Sequence, residues 1–98
     1  MSSSTKNLSV SNSAIQPLEG ARIGIITAEW NEDITFSMRD ACIEELINHG
    51  FKEEDIINVL VPGAFELPSA AKMILAHQKI DAVICIGCVI KGETKHDE

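Results

Sequence analysis

Apolar positions along this chain follow two rhythms. Short unbroken runs alternate with longer stretches in which apolar residues recur every three or four positions. "ARIGIITA" (21–28) is a brief Ile-rich run after a polar cluster and predicts a buried strand. "DITFSMRDACIEELINHG" (33–50) predicts a helix, with Ile34, Met38, Ala41, Cys42 and Leu46 on one face. Asn31 or Asp33 stands where a helix is capped, and Gly50 where a left-handed residue ends one. "IINVLV" (56–61) predicts a second strand, stopped by Pro62-Gly63. "ELPSAAKMILAHQK" (66–79) predicts a second helix, with Pro68 in the first turn, where its missing N–H costs little. Leu67, Ala71, Ile74 and Leu75 share its apolar face. "AVICIGCVI" (82–90) predicts a third strand whose continuous apolarity implies cover on both faces. Residues 1–20 are a Ser-rich leader with too little apolar content to pack, and residues 21–98 form the α/β domain.

The order strand, helix, strand, helix, strand implies parallel strands joined by right-handed crossovers. The expected fold is a three-layer α/β/α sandwich with a parallel sheet of flavodoxin-like topology, cut off after its third strand. Open parallel sheets bind ligands beyond the carboxyl ends of their strands. At that edge this sequence puts its unusual residues. Strand one runs into Glu29-Trp30-Asn31, strand two into "PGAFELP", and strand three into "CVIKGETKHDE". Trp30 is either a packing residue or a platform for a flat ring. Glu66 is either an acid complementing a helix dipole or an acceptor for sugar-like hydroxyls. Gly92-Glu93-Thr94, flanked by Lys91 and Lys95, can cradle an anion. His96 is a surface residue or a proton carrier.

Composition and charge narrow the partners. The 98 residues are 45% hydrophobic and 23% charged, with a formal net charge of −7, so the chain is at most one small domain with a solvated acidic face. There is no basic patch for nucleic acid. No apolar run approaches the roughly 20 residues of a membrane span. "MSSSTKNLSVSNSA" lacks the apolar core of a secretory signal and reads as a disordered cytoplasmic tail. An organelle transit peptide is the alternative, since the stretch is Ser-rich and acid-free, though short and without Arg.

The three cysteines, Cys42, Cys85 and Cys88, lie in apolar segments, which points to reduced thiols. Cys85 and Cys88 form a C-x-x-C, but redox pairs of that spacing sit at a helix N-terminus. Three apart on a strand, these two point to opposite faces. A metal site on Cys88 and His96 needs two further ligands. The expectation is core thiols, with no metal.

"PGAFELP" after the second strand and "GCVIKGETKHDE" after the third, with Trp30-Asn31 after the first, closely resemble the lumazine synthase family. The resemblance covers residues 20 to 98. It implies the penultimate step of riboflavin biosynthesis, in which 5-amino-6-(D-ribitylamino)uracil condenses with 3,4-dihydroxy-2-butanone 4-phosphate. Phosphate and water are released and no cofactor is used. It implies that Trp30 stacks on the pyrimidine. Ala64, Phe65 and Glu66 would hold the uracil and its ribityl chain, and Cys88, Val89 and Ile90 the pyrimidine edge. Glu93 and Thr94 would meet the phosphate, and His96 would move protons. It also implies homo-oligomers, pentamers or 60-subunit shells, with the site at subunit boundaries, and riboflavin synthase as the neighbour in the pathway.

Family chains continue past this motif with a further strand, helices, an aromatic residue and a phosphate-binding Arg. The expectation is therefore an incomplete domain whose pocket needs further polypeptide, in one reading a separate C-terminal chain. The rival expectation is a non-catalytic ligand-binding or assembly module that keeps only the pyrimidine and ribityl half-site.

Overall fold

A computed structural model of the chain describes residues 20–91. β1 (Ile23–Ala28) lies at the centre of a parallel sheet. β2 (Ile56–Val61) pairs along one side of it, from Ile23↔Ile56 to Ala28↔Val61. β3 (Ala82–Ile86) pairs along the other, from Ile23↔Ala82 to Thr27↔Ile86. The order β2-β1-β3 is the opening of the flavodoxin-like order. Helix α1 (Glu32–Asn48) joins β1 to β2, and helix α2 (Leu67–His77) joins β2 to β3.

Side-chain alternation along the strands separates two apolar layers. Ile23 and Ile25 of β1, with Ile56, Ile84 and Ile86, meet Cys42, Ile43 and Leu46 of α1. Ile26 and Ala28, with Val59, Val61 and Val83, meet Leu67, Ala70, Ala71 and Ile74 of α2. The helices thus cover opposite faces, which makes the expected three layers. Every residue of β1 is buried, because β1 alone has a strand on each side and a helix on each face.

The end of α1 follows its sequence. Gly50 takes φ 99°, and the N–H groups of Gly50 and Phe51 bond to the carbonyls of Ile47 and Leu46. That doubly bonded ending is the one glycine supplies best.

Three expectations need correction. The inward face of α1 is Thr35, Cys42, Ile43 and Leu46; Ile34, Met38 and Ala41 are exposed. Thr35 sets the rotation by donating its Oγ1–H to the Ala28 carbonyl at 2.7 Å, fully buried. On α2, Leu75 is exposed and Ala70 packs instead. Leu75 lies about 100° around the helix from Ile74, past the edge of the inward stripe. β3 ends at Ile86, four residues short of the expected boundary. Its pairing with β1 ends at Thr27↔Ile86, and beyond that only Ala28 of β1 remains, too little ladder to carry a strand on to Ile90. Among the described residues β3 pairs with β1 alone and Cys85 on it is exposed, while Cys88 lies beyond the strand and is half-buried; neither is packed in the two cores described.

Candidate functional site

The three strand-end loops meet in one cleft of about 120 Å³. The first wall follows β1. Glu29 N–H donates to the Val61 carbonyl at 2.8 Å and Trp30 N–H to the Pro62 carbonyl at 3.1 Å, so the loop continues the β1–β2 ladder. Trp30 is held by its backbone and is 54% exposed as a residue. Asn31 then takes φ 62° and ψ 48°, and its carbonyl accepts the N–H groups of Ile34 and Thr35 to start α1. Asn31 thus occupies the capping position, but its side chain does not cap. Its Nδ2–H donates instead to the Cys88 carbonyl, 3.1 Å away.

The second wall is Pro62-Gly63 and a single 3-10 turn, Ala64–Glu66, placed before α2. Glu66 closes this turn: its Oε1 accepts the Gly63 N–H at 2.8 Å, and its own N–H donates to the Gly63 carbonyl at 3.1 Å. The carboxylate is therefore oriented by backbone and keeps lone pairs for hydroxyl donors. A Cβ on Gly63 would lie 4.0 Å from Trp30 Cδ1, so the indole edge sits over a bare glycine. Phe65 is 65% exposed at the rim.

The third wall, Cys88 to Ile90, follows β3. Its position depends on Gly87. A Cβ there would stand 2.9 Å from Leu67 Cδ1 and 3.2 Å from Ala64 Cβ, so the exit of β3 rests directly on the second wall.

The cleft gathers Trp30, Ala64, Phe65, Glu66, Cys88, Val89 and Ile90 from the residues the sequence singled out. Glu93, Thr94 and His96 lie outside the described residues, as do residues 1–19 of the expected leader. Asn31, Pro62 and Gly63 also line the cleft; the sequence put them in the strand-end loops but assigned them no part in a site. An Asn at a loop-to-helix junction was visible, but it read as a cap. The carbonyl it reaches belongs to a residue 57 positions away.

The chemistry of the cleft is that of a slot for a flat, partly polar ring. Its lining is mostly apolar, with an indole on one wall, backbone groups on another and one carboxylate at the rim. No cationic side chain is among the described lining residues, so these walls hold no charge complement for phosphate. Sites for whole drug-sized ligands run to roughly 300–1,000 Å³, so this cleft takes one ring system and not two substrates. Among the described residues no group of three or more His, Cys, Asp or Glu is arranged to hold a metal ion. Nor is any helix among them long and apolar enough to cross a membrane.

Comparison with known proteins bears on the same residues. The family model for 6,7-dimethyl-8-ribityllumazine synthase matches residues 20–98. The 6,7-dimethyl-8-ribityllumazine synthase of Cytophaga hutchinsonii is 46% identical over 96 residues, which is 98% of this chain and 60% of that protein. The protein of that name from Flavobacterium johnsoniae is 44% identical over 97 residues, 98% of this chain and 51% of its own length. The one from Bacteroides fragilis is 47% identical over 75 residues, 76% of this chain and 52% of its own length. The chain thus spans about half to three-fifths of the length of these curated relatives.

Proposed function

Because the chain belongs to the 6,7-dimethyl-8-ribityllumazine synthase family, we propose that its cleft is the pyrimidine and ribityl side of a lumazine synthase site. The reaction would be the condensation of 5-amino-6-(D-ribitylamino)uracil with 3,4-dihydroxy-2-butanone 4-phosphate, in the making of riboflavin. The observation that carries this reading is the meeting of Trp30, Glu66 and the Cys88–Ile90 backbone around one slot at the strand ends. Trp30 offers the ring a stacking face. Glu66, already held by the Gly63 N–H, presents its free lone pairs to ribityl hydroxyls. Peptide groups of Cys88, Val89 and Ile90 meet the polar edge of the pyrimidine.

The chemistry consists of proton movements between two substrates held in contact. The arylamine attacks a ketone and water leaves as the imine forms, phosphate is then eliminated, and the ring closes with loss of a second water. Holding the two reactants together lowers much of the barrier. His96, a side chain able both to accept and to give a proton, is the proton carrier in this reading. Glu93 and Thr94 meet the phosphate of the second substrate. Homo-oligomerisation, as a pentamer or a 60-subunit shell, belongs to the same proposal. It rests on the family to which the chain belongs.

The test is to mix the expressed protein with both substrates and follow the fluorescence of the lumazine product. Product formation that His96→Ala lowers by two orders of magnitude or more fits the general acid–base contribution. An unchanged rate in His96→Ala removes that role, and no binding of the pyrimidine substrate removes the site.

A further inference from the structure

The two sides of the cleft are held together differently. On the β2 side, backbone hydrogen bonds carry the ladder into the loops, through Glu29 to Val61 and Trp30 to Pro62. On the β3 side, strand pairing stops at Thr27↔Ile86. This is the switch point of the sheet: the chain leaves β1 toward β2 on one side and returns to β3 on the other. Here the tie is a side chain, the Asn31 Nδ2–H donating to the Cys88 carbonyl at 3.1 Å in a part-buried position.

Asn31 has an unusual conformation for that purpose. It is the non-glycine residue with positive φ among the described residues. Asn tolerates the left-handed region better than most residues, while β-branched and bulky ones are strained there. Asn is also a favoured N-cap, and a capping side chain is worth about 1 kcal/mol. Asn31 sits at the cap and leaves that bond unmade. Its left-handed backbone turns the amide across the crevice instead, toward the wall that the ladder does not hold.

We propose that Asn31 is a positioning residue that fixes the Cys88–Ile90 wall against the Trp30 loop, so that a flat ring enters a preformed slot. The role is mechanical and acts through the Cys88 carbonyl. It deepens the pyrimidine-site reading and rests on that reading only for the identity of the ring.

Two substitutions test the strap without removing the fold. Asn31→Asp keeps the shape and the left-handed tolerance, but a carboxylate has no hydrogen to give the Cys88 carbonyl. Its negative charge at a helix N-terminus is favourable, so stability is preserved. Asn31→Gly takes the left-handed backbone without strain and deletes the side chain. Thermal midpoints of both are expected close to the parent's.

The first readout is alkylation by iodoacetamide, mapped by peptide mass spectrometry. Cys88 is expected to react at least threefold faster in both variants, while Cys42, on the sheet-facing side of α1, keeps its parent rate. The second is quenching of Trp30, the chain's single tryptophan, by 5-amino-6-(D-ribitylamino)uracil. Affinity is expected to fall roughly three- to tenfold, the range for one lost hydrogen bond. Cys88 rates within twofold of the parent in both variants overturn the proposal. So does a parallel rise at Cys42, which would mean general loosening. If the parent protein does not bind the pyrimidine, the pyrimidine reading fails, and the Cys88 rates still decide the strap.

Discussion

Thr27 and Thr35 are both fully buried, and replacing each by valine is expected to move stability in opposite directions. Thr27 lies in β1, and its Oγ1 has no hydrogen-bond partner among the described residues. A buried hydroxyl that gives up water without gaining a partner costs about 1–3 kcal/mol in proteins. Valine replaces the hydroxyl with a methyl of similar size, so Thr27→Val should recover most of that cost. Thr35 is chemically the same residue in a different situation. Its Oγ1–H reaches the Ala28 carbonyl at 2.7 Å, where β1 ends and α1 begins. Thr35→Val removes the donor and leaves a buried carbonyl short of a partner, a loss of about 1–3 kcal/mol. Both residues are β-branched before and after the change, so backbone propensity contributes little. In a domain of this size each kcal/mol moves the melting temperature by about 4–8 °C. Thermal unfolding followed by circular dichroism should therefore place Thr27→Val above the parent and Thr35→Val below it, about 8 °C or more apart. A lower midpoint for Thr27→Val would show that its hydroxyl is bonded in solution. Equal shifts for both variants would refute the contrast between the two sites.

Other outcomes follow from the same geometry. Gly87→Ala should cost about 1–3 kcal/mol and weaken pyrimidine binding, because its Cβ would meet Leu67 Cδ1 at 2.9 Å and Ala64 Cβ at 3.2 Å; urea unfolding and ligand titration check both. Trp30→Ala should weaken binding of the pyrimidine substrate roughly fivefold to a hundredfold, from a stacking contribution of about 1–3 kcal/mol per base, while Trp30→Phe retains most of it; calorimetric titration separates the two. Among the thiols, Cys85 should alkylate fastest because it is exposed, and Cys42 slowest because burial pushes its thiol up. A raised folded value means that the folded state keeps a proton the unfolded state releases. The contribution of Cys42 is then complete below the ordinary thiol range and fades as pH rises through its folded value. Cys42→Ala should accordingly flatten the alkaline decline in stability, measured as melting temperature against pH.

Much of the fold was legible in the residues because strand and helix periods differ so clearly. The run 21–28, the pair Pro62-Gly63 and the helical spacing after Pro68 were enough for element order, and element order implies a parallel sheet. A parallel sheet in turn brings Trp30, "PGAFELP" and the residues after β3 to one edge; the resemblance to the lumazine synthase family named seven residues in those loops, and one cleft gathers them.

Periodicity was less informative where more than one stripe was apolar. Helix α1 carries Ile34, Met38 and Ala41 beside Thr35, Cys42 and Leu46, and a 3.6-residue period fits either stripe. The choice was made by one buried hydrogen bond from Thr35 to the end of β1, a contact between elements. The same limit explains the thiols. "AVICIGCVI" is apolar throughout, yet whether such a run is central or at an edge depends on strand order, and among the described residues β3 pairs with β1 alone.

The sequence by itself thus determined the kinds of elements, their order and the side of the sheet on which chemistry gathers, because these depend on local pattern and chain direction. Only the tertiary structure decided which helix face turns inward, that Cys85 meets solvent, that the Thr27 hydroxyl lacks a partner and that Asn31 reaches Cys88. Each of those depends on atoms brought together from distant parts of the chain, and no local pattern encodes such a meeting.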